Sequence, residues 1–130
     1  MKNPAYAYAQ ALKGYRTMAA QGNAEAMRYL GMMYANGQGV PKNLLEAARW
    51  FDKAGARGDV VSLVRLGAFY ANGQGVKKDM VQAYARFLLA KDLDHPGAGE
   101  LLEKIAAGMT GQQVDEARTL AAEIKAKIVS

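Results

Sequence analysis

The chain has 130 residues, 51% hydrophobic and 22% charged with a net charge of +5, a composition that can bury a core and excludes a disordered tail. With no cysteine and one histidine, it has no route to a disulfide, a thiolate nucleophile or the usual Cys- or His-rich metal site. No apolar run approaches the roughly 20 residues of a membrane span, and MKNPAYAYAQ lacks the apolar segment of a secretory signal.

Taken in chain order, residues 5–21 read as a helix, with Tyr6 and Tyr8 alternating with alanines in its register or frayed end. Asn23 is placed to cap the next helix, in which Ala26, Met27, Leu30, Met33 and Tyr34 recur at three- and four-residue spacing as one apolar stripe. That helix must stop after Tyr34 or Ala35, because Asn36, Gly37 and Gly39 follow and tolerate positive φ. Val40 can tuck under the turn, and Pro41 discourages helix until Asn43. Asn43 with Glu46 forms a capping pair that opens a helix with the stripe Leu44, Ala47, Ala48, Phe51 and Ala54, and Gly58 is expected as its C-terminal cap.

Asp59 then caps a helix through Leu63, Leu66, Phe69 and Tyr70, and Asp79 with Gln82 opens the one after it. His95-Pro96-Gly97 breaks the pattern. A short helix over 98–107 carries Leu101, Leu102 and Ile105. Thr110 with Gln113 opens a last helix through Val114, Ala117, Leu120, Ala121 and Ile124, and Glu116, Arg118, Glu123, Lys125 and Lys127 give it a wet face suited to an end cap.

The stretch YANGQGV occurs at residues 34–40 and again at 70–76. Shifting the chain by 36 residues aligns 23–58 with 59–94, and 13 of the 36 positions are identical. Ala11, Tyr15 and Gly22 lie one period before Ala47, Phe51 and Gly58. The period divides one domain, residues 1–130, into a leading half-unit at 5–22, repeats at 23–58 and 59–94, and a degenerate unit with a capping helix at 97–128. Gly31 and Gly67 sit inside apolar stripes, where glycine costs about 1 kcal/mol against alanine and is kept to let a neighbouring helix come close.

Two glycines flanking one residue can cradle a phosphate. Here the third glycine of a dinucleotide fingerprint is missing, no G-K-[ST] follows, and the motif comes after a helix instead of a strand. The loop closes a helical hairpin, and it recurs because the hairpin recurs. No cofactor is expected. No catalytic constellation forms around His95, whose place in a break favours a solvent-facing side chain, and Asp92 and Asp94 read as helix-end and turn residues. Residues 1–58 hold eight Lys/Arg against three Asp/Glu, while 59–130 hold nine of each. A basic half suits an acidic partner surface and equally a solvated helix face rich in Lys and Arg; without a groove-entering motif it gives no ground for nucleic-acid binding.

These residues resemble the Sel-1-like repeat family, relatives of the tetratricopeptide repeat. The first unit supplies Ala26, Leu30, Gly31, Tyr34, Gly37, Gly39, Val40, Ala47, Trp50, Phe51, Ala54 and Gly58 of the family pattern. The second supplies Leu66, Gly67, Tyr70, Gly73, Gly75, Val76, Asp79, Ala83, Phe87 and Ala90, and departs from it at Ser62, at Arg86 in place of the Trp, and from Lys91 onward. The closing MTGQQVDEARTLA is similar to a terminal helix of such arrays. The resemblance implies an all-α fold, a short right-handed α/α superhelix of helical hairpins. It also implies a protein–protein interaction module or adaptor rather than an enzyme, with an immunity protein that neutralises a secreted bacterial toxin as the alternative.

The first helices of stacked hairpins line a concave side. Their outward positions are the expected partner contacts: Glu25, Arg28, Tyr29, Met32 and Asn36 in the first unit, and Val61, Val64, Arg65, Ala68 and Asn72 in the second. Arg28 and Arg65 can anchor an acidic group, and Met and Tyr suit an adaptable surface. Tyr29 and Met32 equally fit packing against the leading helix or the end cap, and Val61 and Val64 call for some covering element. A native start at Met1 implies the cytoplasm and a trimmed leader the periplasm; the residues leave both open, as they do the oligomeric state.

Overall fold

A computed structural model describes residues 4–129, so the expectation about Met1 lies outside the described residues. Among them are seven helices and no strand: α1 (Pro4–Ala20), α2 (Ala24–Asn36), α3 (Leu44–Gly55), α4 (Val60–Asn72), α5 (Met80–Asp92), α6 (Ala98–Ala106) and α7 (Gly111–Val129). Each of α1 to α6 packs on its chain neighbour, and α7 folds back onto α5. The result is an all-α solenoid of stacked helical hairpins.

The helix starts follow from side-chain capping. Asn23, Asn43, Asp59 and Asp79 all hold extended backbone and accept the N–H of Ala26, Glu46, Ser62 and Gln82 at 2.9–3.1 Å. Thr110 and Gln113 form a reciprocal box, each side chain accepting the other's backbone N–H. Gly37 and Gly73 end α2 and α4 in left-handed conformation, and the Asn43 and Asp79 N–H groups donate back to the Tyr34 and Tyr70 carbonyls at 2.9 Å. The YANGQGV loop is therefore a hairpin closure with the same hydrogen bonds both times.

The buried stripes interlock through a notch. A Cβ on Gly31 would stand 2.5 Å from the Phe51 ring, and one on Gly67 would stand 2.6 Å from the Phe87 ring. Both phenylalanines are buried to 2% exposure or less, so each ring fills the space where its partner glycine has no side chain. The loops then stack the repeats: a Cβ on Gly39 would press on Tyr8 of α1, and one on Gly75 would fall on the Leu44 carbonyl of α3. Tyr8 and Leu44 are themselves one period apart.

The core runs along the stack as four adjoining clusters. Leu12, Met27 and Leu30 join α1 to α2; Ala47, Phe51 and Leu66 join α3 to α4; Leu63, Leu89 and Ala98 join α4, α5 and α6; Phe87, Leu102 and Ala117 close the end beneath α7. Val40 does pack beneath its turn, against the first cluster.

Helix α3 ends at Gly55 and is capped by Gly58 as expected: at φ 90 its N–H donates to the Gly55 carbonyl, and the Asp59 N–H donates to the Ala54 carbonyl, the paired bonds of a Schellman cap. One local expectation changes. His95 is half-buried instead of solvent-facing, and its Nδ1 accepts the Gly97 N–H at 3.1 Å, which stitches the break between α5 and α6. Asp94 takes the left-handed turn conformation at φ 68 that an aspartate tolerates.

Candidate functional site

Four of the expected contact residues on α4 come together. Val61, Val64, Arg65 and Ala68, successive positions on one helical face, line a depression of about 440 Å³ with Phe69, Gln74 of the following loop, and His95. Val61 is 38% exposed and Arg65 is exposed, while Val64 and Ala68 are half-buried with one side against the core beneath. Asn72 is exposed one turn beyond and does not line the depression. The walls are apolar, with a guanidinium, an amide and an imidazole at the edge.

The corresponding face of α2 is arranged differently. Arg28 does not stand as an open anchor for an acidic group: its Nε donates to Asp59 Oδ2 at 3.2 Å, with side-chain exposures of 20% and 12%. Burial alone would lower the Arg28 pKa, but the hydrogen bond and charge of Asp59 outweigh it and raise the value. Asp59 thereby does two jobs, since its other oxygen caps α4 through the Ser62 N–H. Tyr29 stacks on Tyr15 of α1 with ring centroids 5.0 Å apart, and the Arg28 guanidinium lies 5.0 Å from the Tyr29 ring. Met32 is half-buried against the Ala47–Phe51–Leu66 cluster. Glu25 and Asn36 are exposed at the two ends of α2.

The contrast has a position-by-position cause. Thirty-six residues after Arg28 stands Val64, and 36 after Asp59 stands His95. The ion pair that ties α2 to the start of α4 therefore becomes, one repeat later, a valine and a histidine that face a depression. Phe69, Gln74 and His95 were not among the expected contacts. The signal for His95 was its place in the Asn23–Asp59–His95 series, a capping position that a lone loop histidine does not advertise.

Among the described residues no helix is long and apolar enough to cross a membrane. The Sel1 repeat model matches residues 24–59 and 60–95. No curated protein matches the chain. Among solved structures, c5321, a protective antigen of uropathogenic Escherichia coli strains displaying an SLR fold, superposes with a TM-score of 0.87 at 32% identity over 92% of this chain and 26% of its own. A Sel1 repeat protein from Oxalobacter formigenes gives 0.72 at 34% identity, over 75% of this chain and 28% of its own. Helicobacter pylori cysteine rich protein B gives 0.68 at 30% identity, covering 70% of this chain and 68% of that one. The chain thus spans about a quarter of the length of the first two. Two consecutive family matches, the shared helical solenoid and the twice-used glycine–phenylalanine notch lead to one conclusion: this chain belongs to the Sel1 repeat family.

Proposed function

We propose that this protein is a binding module for another protein and that the α4 groove is its contact surface. Sel1 repeat proteins are generally protein-interaction modules, and their fold is typically a non-catalytic scaffold. The observation that carries the reading is the depression itself, where a 38%-exposed valine, two further apolar side chains and an arginine share one helical face. A partner that inserts an apolar side chain between Val61 and Val64 and offers a carboxylate to Arg65 would bury apolar area and pair a rim charge. Asn72 extends the same face. An adaptor role and the neutralisation of a secreted toxin use the same groove and differ in the partner.

The test is capture from a lysate of the source organism on immobilised protein, compared with the double variant Val61→Asp/Arg65→Glu. Both positions are exposed, so circular dichroism should be unchanged. Two contacts worth more than about 1 kcal/mol each predict at least about a tenfold loss of the captured partner. Equal capture by the two proteins would defeat the proposal. The identity of the captured protein, envelope component or toxic enzyme, decides between adaptor and immunity protein.

A further inference from the structure

On the side of the array where α7 crosses α5, a second cavity of about 300 Å³ lies between α3, α4, α5 and α7. Arg86, Gln82 and Asp52 line it together with the half-buried Leu120 and Ile124, while Leu63 and Leu66 also border it but are nearly closed off at 2% exposure. Arg86 stands at the position where the first repeat has Trp50, which packs against the first core cluster with Lys53 over its ring. Here the aromatic is gone and a cation is buried, with a side-chain exposure of 11%.

The neutralisation of that cation is incomplete. Arg86 Nη1 donates to the neutral Gln82 amide oxygen, and the guanidinium lies 5.3 Å from the Tyr70 ring. The nearest carboxylate, Asp52, is 3.8 Å from Nη2, beyond hydrogen-bond reach, and its side chain is 64% exposed. A strut built to lock α3 to α5 would show a direct charge-assisted bond at about 2.7–2.9 Å. Burial holds the Arg86 pKa below its ordinary value, and Tyr70, Asp52 and Asp79 offset this only in part. A buried guanidinium presents a planar fork of donors matched to a carboxylate, and aliphatic walls strengthen such a pair by excluding water.

We infer that this cavity receives the C-terminal carboxylate and apolar last side chain of a partner polypeptide. The walls select between sources of carboxylate. An acidic side chain brings only one or two methylenes and would leave Leu120 and Ile124 uncovered. A chain end carries its carboxylate and an aliphatic side chain on the same carbon, which serves both the fork and the walls. The site is separate from the α4 groove and does not depend on it.

The test is an NMR titration of the ¹⁵N-labelled full chain with N-acetyl-alanyl-leucine, following the Arg86 Nε–H signal and the backbone amides of Leu63, Leu120 and Ile124. Saturable shifts are expected, with the C-terminal amide of the same dipeptide binding at least about tenfold more weakly. Hexanoate, a free acid with no peptide link, should also bind more weakly. Arg86→Gln should lose about tenfold in affinity. Asp52→Asn changes an exposed carboxylate that competes for the fork, so that variant should bind the dipeptide more tightly; this second variant settles the matter should Arg86→Gln not fold. Absence of saturation, equal binding of the amide, hexanoate binding as tightly as the dipeptide, or unchanged or weaker binding by Asp52→Asn would each overturn the assignment.

Discussion

The two hairpins α2–α3 and α4–α5 share a core and differ at their surfaces. Leu30, Gly31, Ala47, Phe51 and Ala54 are repeated as Leu66, Gly67, Ala83, Phe87 and Ala90, all ten buried. Around this shared interior, Arg28 has become Val64, Tyr29 has become Arg65, Asp59 has become His95 and Trp50 has become Arg86. In the first repeat these positions are spent on internal links: an ion pair, a stacked tyrosine pair and an aromatic packed on the core. In the second they border two cavities. Repetition therefore marks what builds the solenoid, and divergence marks where the second repeat borders cavities.

The shared interior can be broken from either repeat. Phe51→Ala and Phe87→Ala should each cost about 3–5 kcal/mol by urea unfolding, because each empties the same kind of notch. Markedly unequal losses would mean that the two cores are not equivalent. Gly67→Ala forces a Cβ against the Phe87 ring and should cost about 1–3 kcal/mol, even though alanine favours a helix by about 1 kcal/mol over glycine; stabilisation would refute the notch.

The divergent positions sharpen the comparison with smaller effects. Asp59→Ala removes both a cap and an interhelix ion pair, and should lower stability by about 1–2 kcal/mol. His95→Ala, at the matching place in the next repeat, removes only a local acceptor for the Gly97 N–H and should cost about 1 kcal/mol or less. Ser62 replaces the Ala26 of the first repeat, is fully buried, and its Oγ has no hydrogen-bond partner among the described residues. Ser62→Ala should therefore raise stability by about 1 kcal/mol, read as a higher melting temperature.

Most of the scaffold was legible in the chain. The period of 36, the caps at Asn23, Asn43, Asp59 and Asp79 and the glycines opposite Phe51 and Phe87 are local or repeated signals, and a repeat states its rule twice. Gly58 was legible as the cap of α3 for a similar reason, since a glycine just past an apolar stripe can take the left-handed conformation that closes a helix. The α4 face was legible in part: outward register marks Val61, Val64, Arg65 and Ala68. Register does not say that Arg28 finds Asp59 across 31 residues of chain. Nor does it say that His95 turns towards α4, since both depend on how consecutive repeats are rotated against each other. Arg86 was visible as a departure from the repeat, but its cavity needed the placement of α7, whose own period had decayed.

The central claim, that the second repeat and not the first presents the partner surface, is tested most directly by placing a photo-crosslinking amino acid at Val61 or at its counterpart 36 residues earlier, Glu25. Both positions are exposed on the first turn of equivalent helices. The account predicts a covalent adduct with the partner from position 61 and none from position 25. An adduct from position 25 alone, or from both in equal yield, would contradict it.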